Sequence, residues 1–197
     1  MIKLVAIQGS VRPDNNTAKA LNIVAHAVKQ TEGVAFEVID PTDMQFALPG
    51  KGQTEDAKKM QQILAGADGV ILATPEYHGS YSSVIKLLID NMGFPSGLSG
   101  KPVALLGVAA GRIGAIKALE HLRSVASHVG AIVLPGPVSI ANVRGVFDQD
   151  GKVLDEGVQH LVEKLVQGLI DYIKTTTCPL EGFESFTRKT DGEQINQ

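Results

Sequence analysis

The chain has 197 residues, of which 44% are hydrophobic and 20% charged, and this length predicts one domain with a substantial buried core. Its 18 basic and 21 acidic residues give a net charge of −3, so no basic surface for a nucleic-acid backbone is expected and nucleic acid is excluded as a partner. The longest apolar run, residues 103–111, falls well short of the roughly 20 residues that a membrane span needs, and the lone cysteine, Cys178, fits a reducing cytoplasm.

Five apolar runs of strand length alternate with helical patterns along the chain. Because these runs hold Val, Ile, Leu and Ala without polar alternation, they predict strands buried on both faces, in a parallel α/β sheet with helices on either side. After residue 174 the periodicity ends, which divides the chain into a domain at 1–174 and a polar tail at 175–197. The predicted order is strand 3–8, helix 17–29, strand 35–40, helix 54–65, strand 69–74, helix 82–91, strand 102–108, helix 113–129, strand 130–135 and helix 155–174.

In such a sheet a ligand lies beyond the carboxyl ends of the strands, so the loop after the first strand is the first candidate site. It reads GSVRPDNNT, from Gly9 to Thr17. Gly9 lets the backbone come close to a ligand, Arg12 supplies a guanidinium, and a helix N-terminus follows, a combination that suits a terminal phosphate dianion. The side chains that add hydrogen-bond donors are Ser10, Asn15, Asn16 and Thr17.

A nucleotide-binding motif and a plain helix cap are the two alternatives to a phosphate site in this loop. The glycine spacing of a dinucleotide-binding fingerprint and the Gly-Lys-Ser/Thr of a Walker loop are both missing, so Asp40 at the end of the second strand is not expected to bind a ribose. The simpler alternative is a capped helix start, with Asn15 or Asn16 as the N-cap. Capping alone, however, requires neither Arg12 nor Ser10.

The loop after the third strand reads TPEYHGSYSS. Pro75 and Gly79 turn the backbone sharply, and the flat side chains of Tyr77, His78 and Tyr81 flank the turn. Such a loop suits the edge of a planar ring whose heteroatoms are bound by backbone groups. The alternative is that these aromatic side chains pack against another subunit.

The loop after the fourth strand reads VAAGRIGA and completes the set of candidate loops. Gly111 and Gly114 leave room for a flat ligand against the backbone, although an ordinary strand-to-helix connection is an equal alternative. Elsewhere, His121 and His128 lack metal-ligand spacing and are interpreted as surface or interface residues. Cys178 has no nearby histidine, so neither a metal site nor a nucleophilic side chain is expected.

Three segments resemble the NAD(P)H-dependent FMN reductase family, which includes quinone, azo-dye and chromate reductases. The segments are GSVRPDNNT, PEYHGSYSSVIKLLIDNM and GKPVALLGVAAGRIGAIKALEHLR, and the similarity extends from Met1 to about Lys174. This resemblance implies a flavodoxin-like, doubly wound sheet of five parallel strands in the order 2-1-3-4-5, with helices on both faces.

The resemblance also implies where a cofactor binds. The residues that would hold the FMN phosphate are Ser10, Arg12, Asn15 and Thr17. Those that would line the isoalloxazine ring are Pro75, Glu76, Tyr77, His78 and Gly79, with Gly111 on the other side. Val108 and Ala109 stand where relatives commonly have serines, so the contacts of this third loop differ from the family pattern.

The implied activity is hydride transfer from NADPH or NADH to N5 of FMN, followed by two-electron reduction of a small-molecule acceptor. That acceptor would be a quinone, an azo compound, a metal oxyanion or free flavin. Because the flavin carries the chemistry, no catalytic side-chain acid or base is expected. The family pattern further implies a homodimer or homotetramer. The alternatives are a flavodoxin-type electron carrier without its own substrate and a flavin-free phosphate-binding regulator.

Overall fold

The computed structural model describes residues 1–190, and the side chains of residues 1–176, and it is built around one largely parallel sheet. Its spatial order is β2-β1-β3-β5-β6, while β7 also lies parallel to β5 and β4 pairs with β3 in antiparallel fashion. The strands are β1 (Ile2–Gln8), β2 (Val34–Ile39), β3 (Gly69–Tyr77), β4 (Ser80–Tyr81), β5 (Pro102–Val108), β6 (Ile132–Val133) and β7 (Val138–Ile140).

The strands β6 and β7 together form a single interrupted edge strand, because they pair with opposite ends of β5. Pro135 and Pro137, which cannot donate a backbone hydrogen bond, separate the two pieces. Counted in this way, the sheet has the predicted flavodoxin-like order 2-1-3-4-5. The prediction ended this strand at residue 135 and so missed β7.

Five α-helices flank the sheet, and four of them lie within three residues of their predicted bounds. The exception is the last helix, which was predicted to end at Lys174 and instead continues to Thr190, into the predicted polar tail. The predicted helix ended where the stripe of apolar residues ends. Such a stripe indicates which part of a helix is buried, so it does not locate the end of the helix itself. The rest of that tail, residues 191–197, lies outside the described residues. The helices are α1 (Asn16–Lys29), α2 (Glu55–Ala65), α3 (Ser83–Asp90), α4 (Ile116–His128) and α5 (Glu156–Thr190).

Both faces of the sheet are covered by apolar layers, as the unbroken apolar runs predicted. In β1, Leu4 and Ala6 pack in the layer formed with α1 and α5, whereas Val5 and Ile7 pack in the layer formed with α2, α3 and α4. Alternate residues of one strand therefore enter opposite cores, which is the doubly wound arrangement. Among the described residues, no helix is long and apolar enough to cross a membrane.

The first loop and the start of α3 are held against each other by a short chain of hydrogen bonds. The Ser82 hydroxyl donates to the Gly9 carbonyl at 2.6 Å and accepts the Ile85 amide at 3.1 Å, so it caps α3 at the same time. A Cβ on Gly9 would stand 2.6 Å from the Ala73 carbonyl oxygen. The close approach that requires this glycine is thus to β3, and not to a ligand as the sequence pattern suggested.

Replacing Ser82 by alanine should lower the free energy of unfolding by about 2 kcal/mol, because a buried carbonyl loses its donor and α3 loses its cap. Thr54→Ala is the matched control, since Thr54 caps α2 by the same contact to Ala57 but lies nearer solvent. Urea denaturation of both variants measures the difference. A Ser82→Ala variant that loses no more stability than Thr54→Ala would contradict this account.

Candidate functional site

Two adjoining crevices lie at the carboxyl edge of the sheet, where β1, β3 and β5 end. The first, of about 400 Å³, lies beside the start of α1, and the second, of about 350 Å³, lies between the β3–β4 turn and the loop after β5. They share Glu76, Ala109 and Ala110 as lining residues. The three loops singled out in the sequence therefore meet at one place.

Every predicted cofactor-binding residue lines one of these crevices. Those in the first crevice are Ser10, Arg12, Asn15, Asn16, Thr17, Pro75, Glu76 and Tyr77. Those in the second are Glu76, His78, Gly79 and Gly111. Pro75, Glu76 and Tyr77 were predicted on a loop, but they continue β3, because Glu76 and Tyr77 pair with β4.

The innermost part of the first crevice combines two buried hydroxyls with a helix N-terminus. Ser10 and Thr17 are only 2% and 1% exposed. Among residues 1–176, Thr17 Oγ1 is the one buried side-chain polar atom without a hydrogen-bond partner. The first amides of a helix such as α1 also lack partners within it. Burying an unpaired hydroxyl costs free energy, so these donors point to an anionic ligand at this place.

Asn15 has a different role from its neighbours in the loop. Its Oδ1 accepts the Ala18 amide at 2.8 Å, and its Nδ2 donates to the Arg12 carbonyl at 2.8 Å. Asn15, and not Asn16, is therefore the N-cap of α1, and both ends of its amide are used within the loop. The capping and ligand-binding interpretations are compatible, because Asn15 shapes the loop while Ser10 and Thr17 face the crevice.

Two exposed arginines give the first crevice its positive charge. Arg12 lies on the first loop, as predicted, and Arg144 lies on a single 3-10 turn, Val143–Gly145, that follows β7. Arg144 was not predicted because β7 was not predicted. Residues that follow the carboxyl end of a strand can reach the site, and without β7 nothing in the sequence indicated that Arg144 follows such an end. Asp14 is the opposing charge on the first loop, and it too is exposed.

Gln8, at the end of β1, is a supporting residue that the sequence analysis did not consider. It is 4% exposed, and its Nε2 donates to the Ser10 carbonyl at 3.0 Å and to Asp40 Oδ1 at 2.9 Å. The same oxygen of Asp40 accepts the Thr42 amide and hydroxyl. Asp40 therefore holds the base of the first loop through Gln8.

The second crevice lies between a tight turn and a glycine-rich loop. His78 and Gly79 both have positive φ, of 51° and 75°, and they form the two-residue turn between β3 and β4. Across the crevice, a Cβ added to Gly111 would meet nothing within 4 Å, so this wall is open toward a ligand. The open backbone at Gly111 gives a flat ligand room to lie against this wall, while the larger side chains of Arg112 and Ile113 also line the crevice.

The histidines outside the crevices give no metal centre. His121 Nδ1 lies 3.0 Å from Ser80 Oγ, at the exposed side of the β3–β4 turn. Within the residues that the structure describes, no group of three or more His, Cys, Asp or Glu side chains could hold a metal ion.

Comparison with known proteins relates this chain to one family of enzymes. Residues 2–145 match the family model described as NADPH-dependent FMN reductase. An NAD(P)H-dependent FMN reductase of Pseudomonas aeruginosa is 31% identical over 177 residues, covering 85% of this chain and 93% of its relative. An NADPH azoreductase of a Bacillus species is 32% identical over 173 residues, with coverage of 87% and 93%.

Solved structures agree with this relationship. The flavoenzyme NAD(P)H:(acceptor) oxidoreductase from Paracoccus denitrificans superposes with a TM-score of 0.75 at 25% identity. The match covers 89% of this chain and 98% of that one.

Replacing Thr17 by valine should separate ligand binding from stability, because the change removes the hydroxyl and keeps the shape of the side chain. Without ligand, the free energy of unfolding should stay the same or rise by up to about 1 kcal/mol, since an unpaired buried hydroxyl is lost. Added inorganic phosphate should raise the melting temperature of this variant less than that of the parent.

Thr17→Ser, which keeps the hydroxyl, is the matched control and should respond to phosphate like the parent. Urea denaturation and thermal unfolding at several phosphate concentrations give both quantities. A strongly destabilised Thr17→Val protein would mean that the hydroxyl has a partner in the folded chain.

Proposed function

The chain belongs to the NADPH-dependent FMN reductase family, and we propose that its two crevices hold one FMN, with the phosphate beside α1 and the ring beside the β3–β4 turn. The protein is an NAD(P)H-dependent oxidoreductase with FMN as its cofactor. The observation that carries the placement is the buried, unpaired Thr17 hydroxyl at the start of a helix.

The residues of the first crevice fit a phosphate dianion. Ser10 and Thr17 would donate from their hydroxyls, the first amides of α1 would donate from the backbone, and Arg12 and Arg144 would supply positive charge at the rim. Asn15 would act indirectly, because its amide already holds the loop in shape. This enclosed end suits a terminal phosphate, so we propose selectivity for FMN over FAD.

The residues of the second crevice would orient the flavin ring. When bound, FMN accepts a hydride from a nicotinamide and passes two electrons to an acceptor. The chain would hold the ring between the 75–79 segment and the loop at Gly111, where the backbone carries no side chain and nothing else lies within 4 Å of a Cβ position. We propose that no side-chain acid or base is indispensable, since the positioned ring provides the reaction centre.

We propose a planar aromatic acceptor, such as a quinone or an azo compound, in preference to a metal oxyanion. Tyr77 and Ile113 are 38% and 77% exposed at the mouth of the crevices, and these apolar surfaces suit a flat organic molecule. One relative is named an azoreductase, which supports the same class. The flavodoxin-type carrier is the weaker reading, because the curated relatives reported above are reductases.

We also propose a homodimer or homotetramer that uses one face of α3. Ile85 and Leu88 of this helix are buried in the core, whereas Val84 and Leu87 are only partly covered within one chain. A second subunit packed on this side of α3 would cover the remaining apolar surface of these two side chains.

The cytoplasm is the location we propose, because the reductant NAD(P)H is supplied there. The lone cysteine, Cys178, agrees with a compartment in which disulfides are not needed.

The proposed activity is tested by mixing the purified, FMN-loaded protein with NADPH in the absence of oxygen. The flavin's visible absorption should bleach without any protein partner, and adding a quinone or azo compound should restore it with continuous NADPH oxidation. Repeating the assay with chromate and with free FMN ranks the acceptor classes. A flavin that neither NADPH nor NADH bleaches would identify an electron carrier instead.

Arg12→Ala should weaken FMN binding by about 1.5 to 3 kcal/mol, the range for a hydrogen bond to a charged group. Riboflavin, which has no phosphate, should bind the variant and the parent alike. Arg112→Ala is the matched control, because Arg112 lines only the second crevice. Calorimetric titrations measure the affinity of the parent and of both variants for FMN and for riboflavin. An equal loss of FMN and riboflavin affinity in Arg12→Ala would refute the phosphate assignment.

A further inference from the structure

The helix α4 differs from the other four helices in how its N-terminus is capped. In each of the others, the residue just before the helix offers a side-chain oxygen to the amide of the third helical residue. In α4 that preceding residue is Ala115, which has no such oxygen, and the first turn contains no acidic residue. The local caps are Asn15 to Ala18, Thr54 to Ala57, Ser82 to Ile85 and Asp155 to Val158.

Glu76, far away in sequence on β3, takes the place of the missing cap. Its Oε2 accepts the amide of Ala118 at 3.0 Å, and Ala118 is the third residue of α4. The contact therefore reproduces the geometry of the four local caps with a group from the sheet. A carboxylate at this position also interacts favourably with the positive end of the helix dipole.

We propose that Glu76 is a positioning residue that caps α4 and thereby fixes the loop at residues 109–115. This loop forms one wall of the second crevice, and its assignment to the flavin ring rests on the proposed function. The contact to Ala118 uses one carboxylate oxygen of a half-buried side chain that lines both crevices. Glu76 lines both crevices itself. In this proposal it affects the ring by holding the 109–115 loop, which forms the other wall of the second crevice.

The other side of the same loop is held from the edge of the sheet. Ser139, on β7, accepts the Ala115 amide at 2.8 Å, and the Ile140 carbonyl accepts the Ala109 amide at 2.9 Å. A Cβ on Gly114 would collide with the Ser139 hydroxyl, so the loop lies tightly against β7. Ser139 lines neither crevice, so it holds the loop from outside the proposed cofactor site.

This pair of contacts allows a test that separates positioning from direct contact with the cofactor. Hydrogen exchange is measured on the flavin-free protein for the amides of Ala118 and of residues 111–115. Glu76→Ala should speed exchange of the Ala118 amide about fivefold, the ratio that corresponds to a typical capping free energy. Glu76→Gln, whose amide oxygen can still accept this hydrogen bond, should restore most of the protection.

The second readout is FMN affinity together with the visible absorption spectrum of the bound flavin. Glu76→Ala and Ser139→Ala should both weaken FMN binding several-fold and shift the bound spectrum in the same direction. Unchanged exchange at Ala118 in Glu76→Ala would overturn the proposal. A Ser139→Ala variant that binds FMN like the parent while Glu76→Ala loses affinity would also overturn it, because Glu76 would then act by contact with the cofactor and not through the loop.

Failure of this proposal and failure of the proposed function give different results. If the parent protein does not bind FMN, the assignment of the crevices fails, while the exchange data on the flavin-free protein still decide whether Glu76 caps α4. If Glu76→Ala does not fold, Ser139→Ala and Glu76→Gln provide the same comparison on folded proteins.

Discussion

The site depends on one close approach, the packing of Gly9 against the end of β3. The Gly9 amide donates to the Ala73 carbonyl at 2.8 Å, and its carbonyl accepts the Ser82 hydroxyl at 2.6 Å. No side chain fits at this point, since a Cβ would stand 2.6 Å from Ala73 O. This contact sets the path of the first loop toward α1 and ties that loop to β3 and to the start of α3.

Near Gly9, one buried hydrogen-bond donor lowers the stability of the folded chain because it has no partner there. The buried Thr17 hydroxyl has no partner within the described side chains, and a group of this kind costs about 1 to 3 kcal/mol. The neighbouring polar side chains, in contrast, have partners within the chain: Asn15 caps α1, Gln8 holds the Ser10 carbonyl, and Glu76 caps α4. Polar groups that support the loops are thus paired, whereas the Thr17 hydroxyl is not, and we propose that the cofactor supplies its partner.

Much of the fold and of the site could be predicted from the sequence, and the misses have physical causes. The apolar runs located the five strands because strands buried on both faces have a distinctive composition, and the glycine-rich loops marked their carboxyl ends. The predicted edge strand ended too early because Pro135 and Pro137 are typical of a strand end. Arg144, which follows the missing part of that strand, was therefore not predicted as a site residue. The roles of Gln8 and Glu76 were not predictable, since each depends on a contact between elements that are distant in sequence.

The resemblance to a reductase family and the geometry of the crevices lead to the same placement of the cofactor, although they are independent arguments. The central claim is that the FMN phosphate lies at the N-terminus of α1, against the Thr17 hydroxyl. A crystal structure of the FMN complex tests it most directly. The account predicts a phosphate oxygen at hydrogen-bond distance from Thr17 Oγ1, about 2.7 Å. A phosphate that lies outside the first crevice, with Thr17 Oγ1 still unpaired, would contradict it.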